Sequence, residues 1–494
     1  MTINKGTFAF ISGLLILLSI ATLAPTLYSP VWQDEAYSIL EFQTKPFLFS
    51  FQNYPIPNNH PLLNAAASLI WDIEDSIYRT RLSLLAVFML SLVSFCFVTS
   101  KVFGKKVAII ALLIFCSSNI GFSFATQIRG YGFSWIFVVL LTGVTAQFSS
   151  SGKVYLGIAY LVLSCALVAT IPSNLIVSTT FVVWGLLTMQ LNKELIVKNY
   201  GRILTLGLGP VVGILAYYEI WQMVLSSSQK SWSPWNNIDL VKHWGYTFIV
   251  DFPWLGLIIV LALVSNRFWD LRRLAKVWVV SKNFRFALAV FVPIIGSLLA
   301  LTNTPFPRSF VPYLPLFAIV LGIVVVNIID RFESSFKVLS SSALALVCLL
   351  FFFYARVWSP CSYDPNVKTN EQNLCKQFYL GAYDPEKLLQ HLNVLNESEK
   401  SLVITGWEAT LAFNFLIQNN EIKNEMPMIG FYSWNKYLEY NQKNDVTLPN
   451  KILLVSDKLS NYKKIVSFLG INPKKMTELS NFGFFTVYEY DTTK

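Results

Sequence analysis

Asp34 and Glu35 are neighbouring carboxylates that follow an N-terminal apolar stretch by about five residues, close to where that stretch would leave a bilayer. A carboxylate there can accept the proton of an attacking hydroxyl. Partial desolvation beside lipid moves such a group toward the range that a general base needs. The two acids could equally be a solvated pair at the start of a short helix, where the helix dipole favours negative charge.

Positive charge stands at two other span ends. Arg129, in Gln127-Ile128-Arg129-Gly130-Tyr131, and Arg308, in Pro305-Phe306-Pro307-Arg308, each close an apolar run. A guanidinium so placed can hold a phosphate in fork geometry, or it can snorkel to lipid headgroups. His60, in Asn58-Asn59-His60-Pro61-Leu62, is one of three histidines, with His243 and His391. A lone loop histidine is more often a hydrogen-bonded structural residue than a metal ligand, and without an HExxH or CxxC pattern a zinc site has little support. A divalent ion held by Asp34 or Glu35 against a donor phosphate stays open as a cofactor. Glu219 and Asp251 lie in or near spans and are either functional groups or ion-paired structural ones.

The elements that must position these residues are membrane helices. The chain has 494 residues, 54% apolar and 13% charged, where a soluble protein carries about 25% charge. Its apolar residues come in runs of about 20, the length a helix needs to cross a bilayer core. Eleven spans are expected, near 7–29, 79–100, 106–124, 131–149, 154–170, 173–191, 203–225, 246–265, 286–301, 310–329 and 338–355. The fifth and sixth could form a hairpin or a single re-entrant element around Ile171 and Pro172. Residues 1–355 hold 23 Lys+Arg against 13 Asp+Glu, whereas 356–494 hold 15 against 15, so the whole excess of +10 belongs to the membrane part. Sixteen of the 23 fall in alternate loops if the N-terminus is cytoplasmic, which puts the C-terminus on the opposite side. This pattern sets topology and does not suit a nucleic-acid arm, whose charge would cluster in one exposed block. A cleaved leader is disfavoured by Pro25, directly after the small residue Ala24.

Two regions outside the spans are long enough to act. The first outer loop, residues 30–78, carries Asp34 and Glu35. It is expected to hold interfacial helices over Asp34–Phe42 and Pro61–Trp71, anchored by Trp32, Phe47, Phe49, Phe51, Tyr54 and Trp71. In the loop 226–245, Trp232, Trp235 and Trp244 read first as interfacial anchors and second as sugar-stacking platforms. From residue 356 the composition turns soluble. Strands over Ser401–Thr405, Lys451–Ser456 and Phe482–Tyr490, with helical patterns at Ala409–Gln418 and Asn461–Leu469, predict a small extracytoplasmic α/β domain. Cys361 and Cys375 lie there, and a disulfide between them fits an oxidising compartment; two unrelated thiols are the alternative. Cys96, Cys116, Cys165 and Cys348 fall inside spans.

Trp32-Gln33-Asp34-Glu35-Ala36-Tyr37 after the first span, His60-Pro61-Leu62 in the same loop, Arg129-Gly130-Tyr131 opening the fourth span, and Arg308 with Pro312-Tyr313-Leu314-Pro315 resemble the motifs of GT-C glycosyltransferases. The branch they are similar to is family 39, which holds protein O-mannosyltransferases and lipid A aminoarabinose transferases. The resemblance covers residues 1–355. It implies a GT-C-like polytopic membrane protein that moves a sugar from a polyprenyl-phosphate carrier to an unidentified acceptor, with inversion, on the extracytoplasmic side of a bacterial inner membrane. By the same resemblance Asp34 would be the general base, with Glu35 supporting or orienting it. Arg129 and Arg308 would hold the lipid phosphate, and Tyr131 would bind substrate. His60, followed by one proline where many relatives have two, would shape the loop or contact substrate. The rival readings are a secondary transporter or lipid exporter and a non-catalytic scaffold. Spans mostly free of charge, an odd span count and a large outer domain weigh against transport.

Overall fold

The computed structural model describes residues 4–28, 31, 33–54, 59–71, 76–189, 199–229, 281–300, 307–330, 385–397, 401–405, 428–430, 451–457, 476–482 and 485–491. The chain divides into two compact units. One comprises Met1–Leu27 and Phe42–Trp358; the other comprises Tyr28–Glu41 and Ser359–Lys494, so the segment bearing Asp34 and Glu35 groups with the C-terminal unit.

In the first unit α1 spans Lys5–Leu23 and tightens into a 3-10 turn over Ala24–Tyr28, whose last residue already belongs to the other unit. Short helices follow at α3 (Phe49–Gln52) and α4 (Pro61–Ser68), α2 being the helix Gln33–Ser38 of the second unit. Then come α5 (Ser76–Phe103), α6 (Lys105–Ser117), α7 (Asn119–Ala125), α8 (Gly130–Ser151), α9 (Val154–Thr170) and α10 (Asn174–Met189). The last described helices of the unit are α11 (Tyr200–Leu215), α12 (Trp221–Gln229), α13 (Lys282–Ala300) and α14 (Leu314–Ile329). Among the described residues five helical stretches are long and apolar enough to cross a membrane, Lys5–Tyr28, Ile77–Phe103, Gly130–Ser151, Lys282–Leu299 and Arg308–Ile329. A sixth counts if α11 and the segment after it, bent by 60°, form one span.

Several expected spans are divided. The run 106–124 is α6 and α7, split where Ser118 leaves the helix and its hydroxyl accepts from Gly121 N at 3.0 Å. At 13 residues α6 is about 20 Å long, short of the ~30 Å hydrocarbon core. The run 203–225 breaks at the 3-10 turn Tyr218–Ile220, so Glu219 stands exposed in that turn and not within a continuous span. The fifth and sixth expected spans are two separate helices, α9 and α10, linked through residues 171–173. The expected spans 246–265 and 338–355 lie outside the described residues, as do Asp251, the tryptophans of the loop 226–245, and Cys348, Cys361 and Cys375.

The core of this unit sits on α6, which packs against α1, α5 and α14. Small residues allow the backbones to approach: a Cβ on Gly322 of α14 would lie 3.0 Å from Ala111 Cβ and 3.1 Å from Val107 O. Phe88, Phe115 and Trp135 join α5, α6 and α8, with the Trp135 ring centroid 5.6 Å from that of Phe88 and 5.3 Å from that of Phe115. Trp135 is fully buried and donates Nε1–H to Val311 O at 3.1 Å, pinning the 3-10 turn Pro307–Tyr313 to α8.

In the second unit, α15 (Pro385–Glu397) precedes a five-stranded sheet of order β2-β1-β3-β5-β4, with β1 Ser401–Thr405, β2 Met428–Gly430, β3 Lys451–Asp457, β4 Met476–Phe482 and β5 Phe485–Asp491. Here β1 runs parallel to β2 and β3, and β5 runs antiparallel to β3 and β4. Leu402, Val403, Ile404, Ile452, Leu453 and Leu454 are buried, as continuous apolar runs in central parallel strands require. Two expected strands take their places as β1 and β3. The third takes its place as β5, which starts at Phe485 rather than Phe482; Phe482 instead ends β4 and pairs with Phe485. The helical patterns at 409–418 and 461–469 lie outside the described residues.

Candidate functional site

Three of the six candidate residues meet. Arg129 is the residue before α8, and its Nε donates to His60 Nε2 at 2.8 Å across 69 positions of sequence. The edge of the His60 ring meets Tyr131, centroids 5.2 Å apart and planes at 70°, while the Arg129 guanidinium lies 5.3 Å from the Tyr131 centroid. All three side chains are buried, Arg129 with 1% of its surface exposed. Because the guanidinium can only donate, the His60 Nε2 must carry its lone pair, which fixes a neutral ring protonated at Nδ1. A permanently charged group at the positive end of α8 concentrates positive potential there, and buried charge demands a negative or hydrogen-bonding complement.

Local structure explains the approach. His60 stands at the N-cap of α4 outside helical geometry, Pro61 opens that helix at its first position, and Asn64 N donates to His60 O at 2.9 Å to close the first turn. Gly130 admits the imidazole: a Cβ there would lie 2.8 Å from Thr170 Cγ2, 3.0 Å from Ile171 Cγ1 and 3.1 Å from His60 Nδ1. Gly132 admits the end of α7, because a Cβ there would overlap the carbonyl oxygen of Phe124. Upstream, Thr26 and Thr126 share a hydroxyl hydrogen bond of 2.7 Å, and buried Arg81 donates Nη1–H to Leu27 O at 3.3 Å.

Asp34 and Glu35 lie in the first turn of α2, the six-residue helix Gln33–Ser38 that continues as a π-helical turn over Ile39–Gln43. Glu35 is fully buried and Asp34 half-buried, so the pair is not a solvated one. Consecutive residues on a helix face different ways, which divides the two acids between an interior and an accessible side. Nearby Tyr37 is buried, and burial together with the negative charge of Glu41 pushes its phenol well above the usual tyrosine range. Arg308 is half-buried near the start of the 3-10 turn that Trp135 holds against α8. Among the described residues no cluster of three or more His, Cys, Asp or Glu side chains could hold a metal ion.

Tyr54 corrects the set of interfacial anchors. It is 4% exposed and packs edge-on against Tyr217 at 6.5 Å, in a cluster with Val168 and Ile220. Sequence reasoning assigned no role to Gly130 and Gly132, to Arg81, or to the amides Gln43, Asn59 and Asn64, although Gly130 and Asn59 stand inside its motifs.

The helical unit with divided spans and the mixed α/β unit make up a fold of the GT-C type, shared with solved structures. The solved structures it resembles include the ArnT protein of Cupriavidus metallidurans in the apo state, at 11% identity and TM-score 0.52, covering 98% of this chain and 98% of that one. The same protein bound to undecaprenyl phosphate aligns at 11% identity and TM-score 0.48 over 99% and 98% of the two chains. The Archaeoglobus fulgidus oligosaccharyltransferase, in complex with zinc and sulfate, aligns at 12% identity and TM-score 0.46 over 97% of this chain and 72% of that one. No protein-family model and no curated protein matches the sequence.

Proposed function

We propose that the protein is a membrane glycosyltransferase that moves a sugar from a polyprenyl-phosphate carrier to an acceptor hydroxyl or amine on the extracytoplasmic side, with inversion. The observation that carries this reading is Arg129: a buried guanidinium just before α8, held by His60 through Nε and set against the Tyr131 ring, the type of group that recognises phosphate. The fold supports it, being shared with the ArnT protein, which binds undecaprenyl phosphate, a carrier of the class assigned here.

In the proposed reaction Asp34, on the accessible side of α2, takes the proton from the acceptor as the acceptor atom attacks the anomeric carbon. The bond from that carbon to the phosphate oxygen breaks with its electron pair on oxygen. The phosphate gains one negative charge, which Arg129 and Arg308 stabilise. Glu35, buried beside Asp34 in sequence, orients the helix, and Tyr131 and His60 hold Arg129 in place. Residues 1–355 would form the transferase domain and residues 356–494 the extracytoplasmic one.

The test is consumption of a panel of polyprenyl-phosphate sugars by the purified protein and its Asp34→Asn variant. Removing a general base lowers turnover by about 10²–10⁴-fold at unchanged protein yield. Wild-type protein that is well folded, supplied with native lipid, and inert toward every donor would return the transporter and scaffold readings to the front.

A further inference from the structure

The amide side chains buried between Gln43 and Asn64 have no role in the reaction just described, yet they are bonded in one direction. Asn59 Nδ2 donates to two backbone carbonyls, Ser50 O at 2.8 Å and Asn53 O at 2.8 Å. Carbonyls only accept, so the orientation of this amide is dictated and its Oδ1 must receive. It receives from Asn64 Nδ2 at 2.9 Å, and Asn64 Oδ1 receives from Gln43 Nε2 at 3.0 Å. Gln43, Asn59 and Asn64 are each 0–1% exposed, where a misdirected amide would cost the full desolvation of its polar atoms.

This series ends at the candidate site. Asn59 is bonded in the chain to His60, and the backbone N–H of Asn64 donates to His60 O at 2.9 Å, so fixing these two residues fixes the backbone on which His60 stands. We infer that Gln43, Asn64 and Asn59 are positioning residues, a one-way amide relay that seats His60 so that its Nε2 engages Arg129 Nε and turns the Nη edge of Arg129 to the donor phosphate. The inference rests on the reading of Arg129 as a phosphate-holding group. Its effect falls on turnover more than on binding, because the phosphate gains charge only as the glycosyl bond breaks, and a misaligned guanidinium loses most at that moment.

The experiment is a double-mutant cycle on the purified full-length protein with the polyprenyl-phosphate sugar that the wild type consumes. Asn64→Asp keeps the acceptor for Gln43 but sets a second acceptor against Asn59 Oδ1. Gln43→Met removes one donor at similar volume, and the Gln43 Oε1 it deletes has no hydrogen-bond partner among the described residues, so this variant is the milder one. In the wild-type background kcat per folded molecule falls on the order of 10²-fold for Asn64→Asp and about 10-fold for Gln43→Met, with KM changed less than about 3-fold. In an Arg129→Lys background, where the fork is already gone, either substitution costs less than about 3-fold more. Equal losses in both backgrounds, or a loss confined to the amount of folded protein, would overturn the relay. Should Asn64→Asp fail to accumulate, Gln43→Met completes the cycle. Absence of wild-type turnover sinks the transferase reading together with the relay, whereas wild-type turnover with additive losses sinks the relay alone.

Discussion

Gly130 admits a quantitative test of how tightly the candidate site is closed. An alanine methyl carbon at this position would sit 2.8 Å from Thr170 Cγ2, 3.0 Å from Ile171 Cγ1 and 3.1 Å from His60 Nδ1. Carbon atoms pack at about 3.5–4.0 Å, so the overlap with Thr170 is roughly 0.7 Å and each neighbour must yield. All three are side-chain atoms rather than backbone, so they yield by small rotations, which puts the cost of overpacking at about 1–3 kcal/mol. Alanine also restricts the unfolded chain, and because the glycine is not in the left-handed region this returns about 0.4–1 kcal/mol. The net is a destabilisation of about 1–2 kcal/mol, or a drop in Tm of about 1–3 °C at fixed scan rate. Turnover suffers more than stability: the imidazole is pushed away from α8, the 2.8 Å bond to Arg129 lengthens, and donor consumption falls on the order of 10-fold. Gly132→Ala is the contrasting control, because its methyl meets the backbone oxygen of Phe124, which cannot turn aside. That variant loses about 3 kcal/mol or more and accumulates poorly. Both quantities come from thermal unfolding in detergent beside a donor-consumption assay. A Gly130→Ala protein with wild-type Tm and wild-type turnover would refute the claim that His60 is wedged against α8.

Trp135→Phe keeps the aromatic packing with Phe88 and Phe115 but strips the donor from Val311 O, and should cost about 1–3 kcal/mol in thermal unfolding; an unchanged Tm would show that the bond is not holding the turn to α8. Tyr37 has its phenol pKa raised by burial and by Glu41, so the folded protein keeps a proton that the unfolded chain gives up above about pH 10. Its contribution is therefore complete below pH 10 and is lost as pH rises beyond it. Wild-type Tm should fall more steeply than that of Tyr37→Phe between about pH 9 and 11, and parallel curves would contradict the burial.

The membrane helices were legible because a run of about 20 apolar residues has few other uses. Their breaks were less so. The interruption of 106–124 had a readable signal in Ser117-Ser118-Asn119, residues that favour caps over helix interiors, and Ser118 does cap α7. The bend after α11 had none: Ala216 and Tyr217 continue the apolar run, and the chain turns because Tyr217 buries its ring and donates its hydroxyl to Val168 O at 2.7 Å. Among the strands, β1 and β3 announced themselves as buried apolar runs. The three residues of β2 and the polar sequence of β4, MTELSNF, do not, since an edge strand owes its place to its neighbour's backbone rather than to its own side chains.

The same asymmetry governs the site. Asp34, Glu35, Arg129 and Arg308 stood out because charge in so apolar a chain requires a reason, and His60 because the chain has three histidines. What holds them could not be seen that way. Asn59, Asn64 and Gln43 are ordinary residues for a polar loop, and their function exists only in the direction of their hydrogen bonds, which two backbone carbonyls set from the far end. The His60–Arg129 bond closes 69 residues, a separation that sequence spacing leaves unspecified. Chemistry in this chain is thus written in residue types, whereas its alignment is written in amides and glycines that look unremarkable until they are folded. Substitutions at those amides and at Gly130 should accordingly separate kcat from protein yield, as is expected for loss of Asp34, although none of them touches substrate, whereas Gly132→Ala should lower the yield itself.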